Sequence, residues 1–82
     1  MLKEYSINIE EIYIPVKRRQ TLDTKLKEEI AESIIEDGQK TPIRVRHDGK
    51  RYVLVEGFHR LEACKALGES QIISYIVQAQ KF

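Results

Sequence analysis

The chain has 82 residues, which fits one small domain spanning residues 1–82 and excludes an enzyme with a separate substrate domain. Hydrophobic residues make up 41% of the chain and charged residues 33%, so there is enough apolar material for one compact core. Fourteen basic and 13 acidic side chains give a net charge of +1. Because a global excess of positive charge is lacking, any anion-binding site must be local.

Cysteine and histidine are scarce. The single cysteine, Cys64, excludes an intramolecular disulfide, and two histidines, His47 and His59, are too few for a zinc site. We therefore expect no metal ligands. No window approaches 18 apolar residues, and residues 1–10 lack the arrangement of a secretion signal. These features predict a cytoplasmic protein with no membrane partner.

The first segment, residues 6–14, alternates loosely between apolar and polar residues. This pattern predicts a strand and a following extended stretch that Pro15 closes. A short basic turn comes next, formed by Lys17, Arg18 and Arg19.

A helix is predicted from Thr24 to Asp37. Asp23 can accept a backbone N–H of the first turn, and Gly38 fits the left-handed position that often ends a helix. Apolar residues recur at four-residue spacing, which is typical of an amphipathic helix packed on a core. They are Leu22, Leu26, Ile30 and Ile34.

The second half of the chain predicts a hairpin, a helix and a last strand. Asp48-Gly49 lies between two β-rich runs, which is a strong hairpin signal. A helix then opens at about Phe58, with apolar residues at three-residue steps, and a strand covers about residues 72–77. The order strand, helix, strand, strand, helix, strand indicates an α+β domain, with a mixed or antiparallel sheet covered on one face by two main helices.

The most informative local feature is the junction between the second hairpin strand and the helix that follows Gly57. Free N–H groups and the positive end of the helix dipole meet at such a junction, which makes it an anion site. His59 and Arg60 lie in the first helical turn, where an arginine fork can bind phosphate through two hydrogen bonds. A surface ion pair between Arg60 and Glu56 or Glu62 is the structural alternative.

The run from Val55 to Ala63, read as VEGFHRLEA, resembles two related motifs. One is the Gly-Glu-Arg-Arg-x-Arg-Ala box of the ParB N-terminal domain, and the other is the Gly-Cys-His-Arg box of sulfiredoxin. The upstream Leu22-Asp23, the helical segment 28–34, and Gly38, Pro42 and Ile43 look like the ParB pattern, so the resemblance covers most of the chain. It implies the ParB/sulfiredoxin-like fold, closer to the ParB branch.

In that family the box holds nucleotide phosphates, cytidine triphosphate in ParB and ATP in sulfiredoxin. Carried over, the resemblance implies a nucleoside triphosphate, CTP or ATP, bound with Mg²⁺. Phosphate would be held by Gly57, His59 and Arg60, with Arg18, Arg19 and Ser33 around the same pocket. Lys40 and Thr41 would contact the nucleotide from the turn before the first hairpin strand, and Phe58 and Gln39 would form a wall beside the base.

Two departures from the family motifs limit the assignment. Phe58 stands where sulfiredoxin has its nucleophile, and a phenyl ring cannot attack a phosphoryl group, so sulfiredoxin activity is not expected. ParB has an acid at Phe58 and arginines at His59 and Glu62, which leaves specificity for CTP open. No helix-turn-helix motif follows the last predicted strand within these residues.

The sequence leaves three functions open. The first is a nucleotide-binding regulatory module, linked to DNA partitioning or transcription, that works with a DNA-binding partner protein or as a homodimer and has no catalytic residues. The second is a phosphate-ester enzyme of the same fold, a nuclease, phosphatase or small-molecule kinase, with Glu56 and His59 as its candidates. The third is a DNA-binding module that needs no nucleotide and uses the basic hairpin, since residues 39–60 carry six positive and two negative charges.

Overall fold

A five-stranded mixed sheet organises residues 2–78, the part of the chain that the computed structural model describes. The strands are β1 (Glu4–Asn8), β2 (Ile12–Tyr13), β3 (Ile43–His47), β4 (Tyr52–Glu56) and β5 (Gln71–Ile76). The helices are α1 (Val16–Arg19), α2 (Thr24–Asp37) and α3 (Phe58–Ala66), and a 3₁₀ turn spans Ile9–Glu11.

The strand order across the sheet is β1-β5-β3-β4-β2. β1 pairs antiparallel with β5, and β3 pairs antiparallel with β4 through the predicted hairpin. The β3–β5 and β2–β4 pairs are parallel. The predicted α+β class is confirmed, and of the two sheet types that the sequence allowed, the sheet is mixed.

The predicted strand and the extended stretch that follows it in residues 6–14 correspond to β1 and β2, and a 3₁₀ turn that the sequence did not indicate, Ile9–Glu11, separates them. The isoleucines explain the break. Side chains of a strand alternate between faces, so Ile7 and Ile9 could not share a face with Ile12 and Ile14 in one uninterrupted strand. The 3₁₀ turn corrects the parity, and all four side chains are buried. It also carries the chain from β1 at one edge of the sheet to β2 at the other.

α2 has the predicted bounds, Thr24–Asp37, and the predicted cap, since the Asp23 carboxylate accepts the N–H of Leu26 at 3.2 Å. Gly38 does end the helix, but the left-handed helical conformation predicted for it was wrong: its φ of +76° is combined with an extended ψ of 179°. The expected core-facing stripe is only partly buried, since no residue of α2 is fully buried and Leu26 is 40% exposed. α2 packs against α3 and reaches the core through Ile34.

α3 supplies the apolar layer over the sheet. Phe58, Leu61 and Cys64 are buried, as their three-residue spacing predicted, and they belong to one cluster with Ile43 and Val45 of β3. Both long helices therefore lie on the same face of the sheet. No helix within residues 2–78 is both long and apolar enough to cross a membrane.

Candidate functional site

Gly57 is the sharp turn between β4 and α3. Its φ is +105°, which residues with a side chain rarely adopt. A Cβ added there would lie 2.6 Å from Cγ2 of Ile43 and 2.9 Å from its Cβ. Glycine is therefore required both by the backbone angle and by the close approach of β3, and this packing fixes where α3 begins.

The first turn of α3 leaves its backbone donors without partners from its own helix. The first intrahelical hydrogen bond runs from Leu61 N–H to the carbonyl of Gly57 at 2.9 Å, so the N–H groups of Phe58, His59 and Arg60 have no intrahelical acceptor. Gly57 has no side chain to cap them, and no acidic residue lies in this turn. The turn thus has the donors and the positive dipole end that bind an anion.

The N-terminus of α2 lies beside the same turn. The backbone N–H of Asp23 donates to Nε2 of His59 at 2.9 Å, which joins the start of α2 to the first turn of α3. An imidazole nitrogen that accepts is unprotonated, so in the neutral ring the proton is on Nδ1, which remains a donor. Two helix N-termini therefore converge, and one of them already has the Asp23 carboxylate as its cap.

One cationic side chain is held beside this junction, and a second belongs to the helical turn itself. Arg18 donates through Nη2 to the carbonyl of Val55 at 2.6 Å, which places its guanidinium beside the end of β4. Arg60 is half-buried on α3 and takes part in no ion pair within the described residues. Arg19 is turned elsewhere, since its Nε donates to the carbonyl of Ile14 at 3.0 Å.

The other sequence-predicted residues lie on α2 and on the turn before β3. Ser33 is exposed on α2. Lys40 forms an ion pair with Asp37 at 3.3 Å, and Thr41 accepts the Gln39 amide through its carbonyl. This turn leads directly into Ile43, the residue that Gly57 contacts.

Gln39 makes hydrogen bonds that bind its side chain to β5. Its Nε2 donates to the Ile73 carbonyl at 2.9 Å, and its Oε1 accepts the Ile73 N–H at 2.8 Å. The side chain thus supplies the pair of bonds that a neighbouring strand would supply. In this arrangement both polar groups of the amide are already occupied.

Phe58 and Cys64 of α3 are both buried, so neither supplies a reactive group to the junction. Phe58 is 6% exposed and its ring is part of the core, with its edge against the His59 ring at a centroid distance of 5.5 Å. Cys64 is 2% exposed, and burial raises the pKa of its thiol, as does the nearby Glu69. The chain's one thiol is therefore neutral and inaccessible.

The acids and histidines near the junction are few and separately engaged. Glu56 forms an ion pair with Arg44 at 3.6 Å, and His59 accepts from Asp23. Residues 2–78 contain no group of three or more His, Cys, Asp or Glu side chains that could hold a metal ion. A magnesium ion that enters with a triphosphate keeps phosphate and water oxygens as most of its ligands, so such a group is not needed for it.

A groove of about 870 Å³ lies along the β2 edge of the sheet. The side chain of Arg51 covers the ring of Tyr13 at 3.9 Å, and Arg19 approaches the same ring at 5.8 Å. The sequence did not indicate this cluster, because Arg51 is more than 30 positions from Tyr13 and Arg19 and shares no motif with them. The groove is lined by charged residues of both signs, including Glu10, Glu11, Arg19, Lys50, Arg51, Glu62 and Lys65.

The contact of His59 with Asp23 was also not predicted. Asp23 was identified through its side chain as a helix cap, whereas the contact uses its backbone N–H. No side-chain pattern could have indicated it.

Comparison with known proteins places this fold and junction in a family. The sequence profile of the ParB N-terminal domain matches residues 3–81, nearly the whole chain. A probable chromosome-partitioning protein ParB from Campylobacter jejuni is 37% identical over 62 residues, which are 76% of this chain and 22% of that protein. The chain belongs to the ParB N-terminal domain family, and it spans about a fifth of the curated relative's length.

Solved structures share the fold. Sulfiredoxin from Arabidopsis thaliana is 28% identical, with a TM-score of 0.85, and the match covers 94% of this chain and 86% of that one. A C-terminally truncated ParB from Caulobacter crescentus, complexed with CTP-γ-S, is 23% identical with a TM-score of 0.82, covering 96% of this chain and 46% of that one. A free serine kinase in complex with AMP is 23% identical with a TM-score of 0.79, and the match covers 93% of this chain and 31% of that one. The predicted resemblance to ParB and sulfiredoxin is confirmed.

Proposed function

We propose that this domain is a ParB-like nucleotide-binding regulatory module that binds a nucleoside triphosphate at the junction of β4 and α3. The observation that carries the proposal is the uncapped first turn of α3, which follows Gly57, where an added side chain would clash with Ile43. The guanidinium of Arg18 lies beside the end of β4, and Arg60 follows in the same helical turn, so both cations support this assignment. Such a convergence of donors and positive charge favours a polyanion.

Each residue has a distinct role in this proposal. The backbone of residues 57–60 cradles one phosphate, Arg60 binds it with a guanidinium fork, and Arg18 approaches from β4. His59 donates through Nδ1 while Nε2 keeps its bond to Asp23. Ser33, Lys40 and Thr41 bind the rest of the nucleotide, and Gln39 acts by holding their turn on β5.

The proposal extends to the cellular role. The Caulobacter ParB was solved with CTP-γ-S and the free serine kinase with AMP, so nucleotides bind to this fold in two proteins. The Campylobacter relative is named as a partitioning protein. We infer that the module serves DNA partitioning or transcriptional control in the cytoplasm, with Mg²⁺ entering on the triphosphate.

Sulfiredoxin-type and phosphate-ester chemistry receive no support from the side chains at the junction. Phe58 stands at the nucleophile position, and Cys64 is buried with a raised pKa. Glu56 is paired with Arg44, and His59 is held by Asp23, which leaves no acid–base pair beside the phosphate position.

A thermal-shift panel tests the proposal. The domain is melted with ATP, GTP, CTP and UTP, with and without magnesium, because a ligand at 100 times its Kd stabilises by about 2.7 kcal/mol, several degrees in a small domain. We expect a shift with a triphosphate, abolished in Arg60→Ala and retained in Lys50→Ala, which removes a distant cation. An equal shift in Arg60→Ala, or no shift with any nucleotide, would contradict the proposal.

A further inference from the structure

The sheet has a second face, which neither long helix covers. Residues paired across strands lie on the same face. Val45, Leu54 and Ile72 face the helices. Their neighbours along the strands therefore face the other way: Arg44 is opposite Tyr75, and Arg46 and Tyr13 are both opposite Val53. We call this surface, with Arg51 and Lys50 at the hairpin tip, the basic sheet face.

Two of the four cations of this face are free to bind an external partner, and the other two form only exposed ion pairs. Arg46 and Lys50 take part in no ion pair among residues 2–78. Arg44 is 3.6 Å from Glu56, and Arg51 is 3.5 Å from Asp48. Both of those pairs are well exposed to solvent, where ion pairs are worth little and a polyanion can compete for them.

Tyr13 orients Arg51 and one further cation, Arg19, at the edge of the same face. The Arg51 guanidinium lies 3.9 Å from the ring centroid and the Arg19 guanidinium 5.8 Å. Cation–π contacts of this kind orient a guanidinium while its N–H groups stay available. The hydrogen bond from Arg18 to the Val55 carbonyl holds α1 against β4, the strand that follows the hairpin tip.

The chain separates its charges between two surfaces. α1 and the hairpin carry half of the 14 basic side chains: Lys17, Arg18, Arg19, Arg44, Arg46, Lys50 and Arg51. The segment 23–37 carries six of the 13 acids and only two lysines. α1 and the hairpin thus carry a local excess of positive charge, although Glu10 and Glu11 line the groove beside Arg19 and Arg51, and α2 carries a local excess of negative charge. A polyanion would be steered to the first region and repelled by the second.

We propose that the basic sheet face binds a single-stranded nucleic acid, with Arg46, Lys50 and Arg51 on the phosphodiester backbone. A single strand is favoured over a duplex because Tyr75, half-buried on this open face beside Arg44, can stack on a base. The site is separate from the junction at Gly57 and does not require a nucleotide there.

The test is a salt titration of oligonucleotide binding, done without nucleotide, on two charge-matched double variants. Arg46→Gln with Lys50→Gln removes two cations from the face, and Lys25→Gln with Lys27→Gln removes two from α2. For single strands the slope of log K against log salt is about −0.7 per phosphate contacted, so the first pair should make it about 1.4 less steep. The second pair should leave the slope unchanged.

A third variant tests the aromatic contact. Tyr75→Leu should weaken single-strand binding about fivefold or more, with the salt slope kept. Equal weakening by both double variants, a duplex of the same sequence that binds as tightly, or no binding at low salt would overturn the proposal. Thermal shifts with nucleotide, measured on the Arg46/Lys50 double variant, separate this proposal from the one for the Gly57 junction. The shift should persist in that variant whether or not it still binds the oligonucleotide.

Discussion

α2 and α3 lie side by side on the sheet, yet different forces specify them. α2 has 14 residues, a side-chain cap at Asp23 and a glycine after its last turn, and none of its residues is fully buried. α3 has nine residues and no side-chain cap, and four of its side chains are buried. Local signals define the first helix and tertiary packing defines the second. The uncapped end, where the candidate site lies, belongs to the helix that the core holds in place.

The largest expected difference between the helices comes from their leucines. Leu61→Ala in α3 should cost about 2–5 kcal/mol of unfolding free energy, because Leu61 is completely buried and its loss leaves a cavity. Leu26→Ala in α2 removes a side chain that is 40% exposed, so we expect about 1 kcal/mol or less. Urea denaturation of both variants measures the difference, and equal losses would refute the contrast.

The two glycines sharpen the same comparison. Gly57→Ala should cost about 2–4 kcal/mol, because it combines a positive φ with a clash against Ile43. Gly38→Ala also has a positive φ, here with an extended ψ of 179°, but nothing lies within 4 Å of its added Cβ, so only the backbone cost, about 1–3 kcal/mol, is expected without a clash. If denaturation curves show the two variants equally destabilised, the close approach to β3 has no energetic role.

Gln39 connects the end of α2 to the sheet. Gln39→Met keeps the length of the side chain but leaves the N–H and carbonyl of Ile73 without the amide, which should cost about 1–3 kcal/mol. Gln20→Met is the control, since Gln20 is exposed on the surface. Loss of hydrogen-exchange protection at the Ile73 amide in the first variant alone would confirm the bond, and unchanged protection would exclude it.

Replacing Asp48 in the hairpin turn should have the smallest effect on stability, and that effect should depend on pH. Hydrogen bonds from the N–H groups of Lys50 and Arg51 hold the pKa of the Asp48 carboxyl below its usual value. When the pKa of a carboxyl is lower in the folded state than in the unfolded state, the charged carboxylate stabilises the folded protein. This stabilisation is fully present above the unfolded-state pKa, near 3.9, and is lost as the pH falls through the folded-state pKa. Asp48→Ala should therefore lower Tm slightly at neutral pH and have no effect once the carboxyl is protonated.

A constant Tm difference between Asp48→Ala and the parent chain down to strongly acidic pH would show that the turn does not depend on the charge. Because Asp48 is fully exposed, we expect a smaller change than at Gln39.

The sequence predicted those elements whose signals lie within a few residues. The bounds of α2 follow from Asp23, Gly38 and a four-residue period, and the hairpin follows from Asp48-Gly49. The 3₁₀ turn inside the first segment was not predicted, although the shift of parity between Ile9 and Ile12 marks a break there.

The candidate site was only partly accessible to such reasoning. The junction at Gly57 could be located because a strand, a glycine and a helix follow one another. The bonds from Asp23 to His59 and from Arg18 to Val55 join residues 36 and 37 positions apart, through backbone atoms that every residue has. The paired charges on the basic sheet face depend likewise on strand register, which the residues of one strand do not define.

By itself the sequence determined the local elements of the domain: its long helices and hairpin, the apolar stripe of α3 and the phosphate-binding type of motif after β4. These depend on short-range periodicity and on the conformational limits of Gly, Pro and Asp, which act within a few residues. Only the tertiary structure decided the strand order, the route of the chain from β1 to β2, the contact of Gly57 with Ile43 and the charge of the open sheet face. These depend on packing between distant segments, where the free energy of burial selects one arrangement from many that the local signals allow.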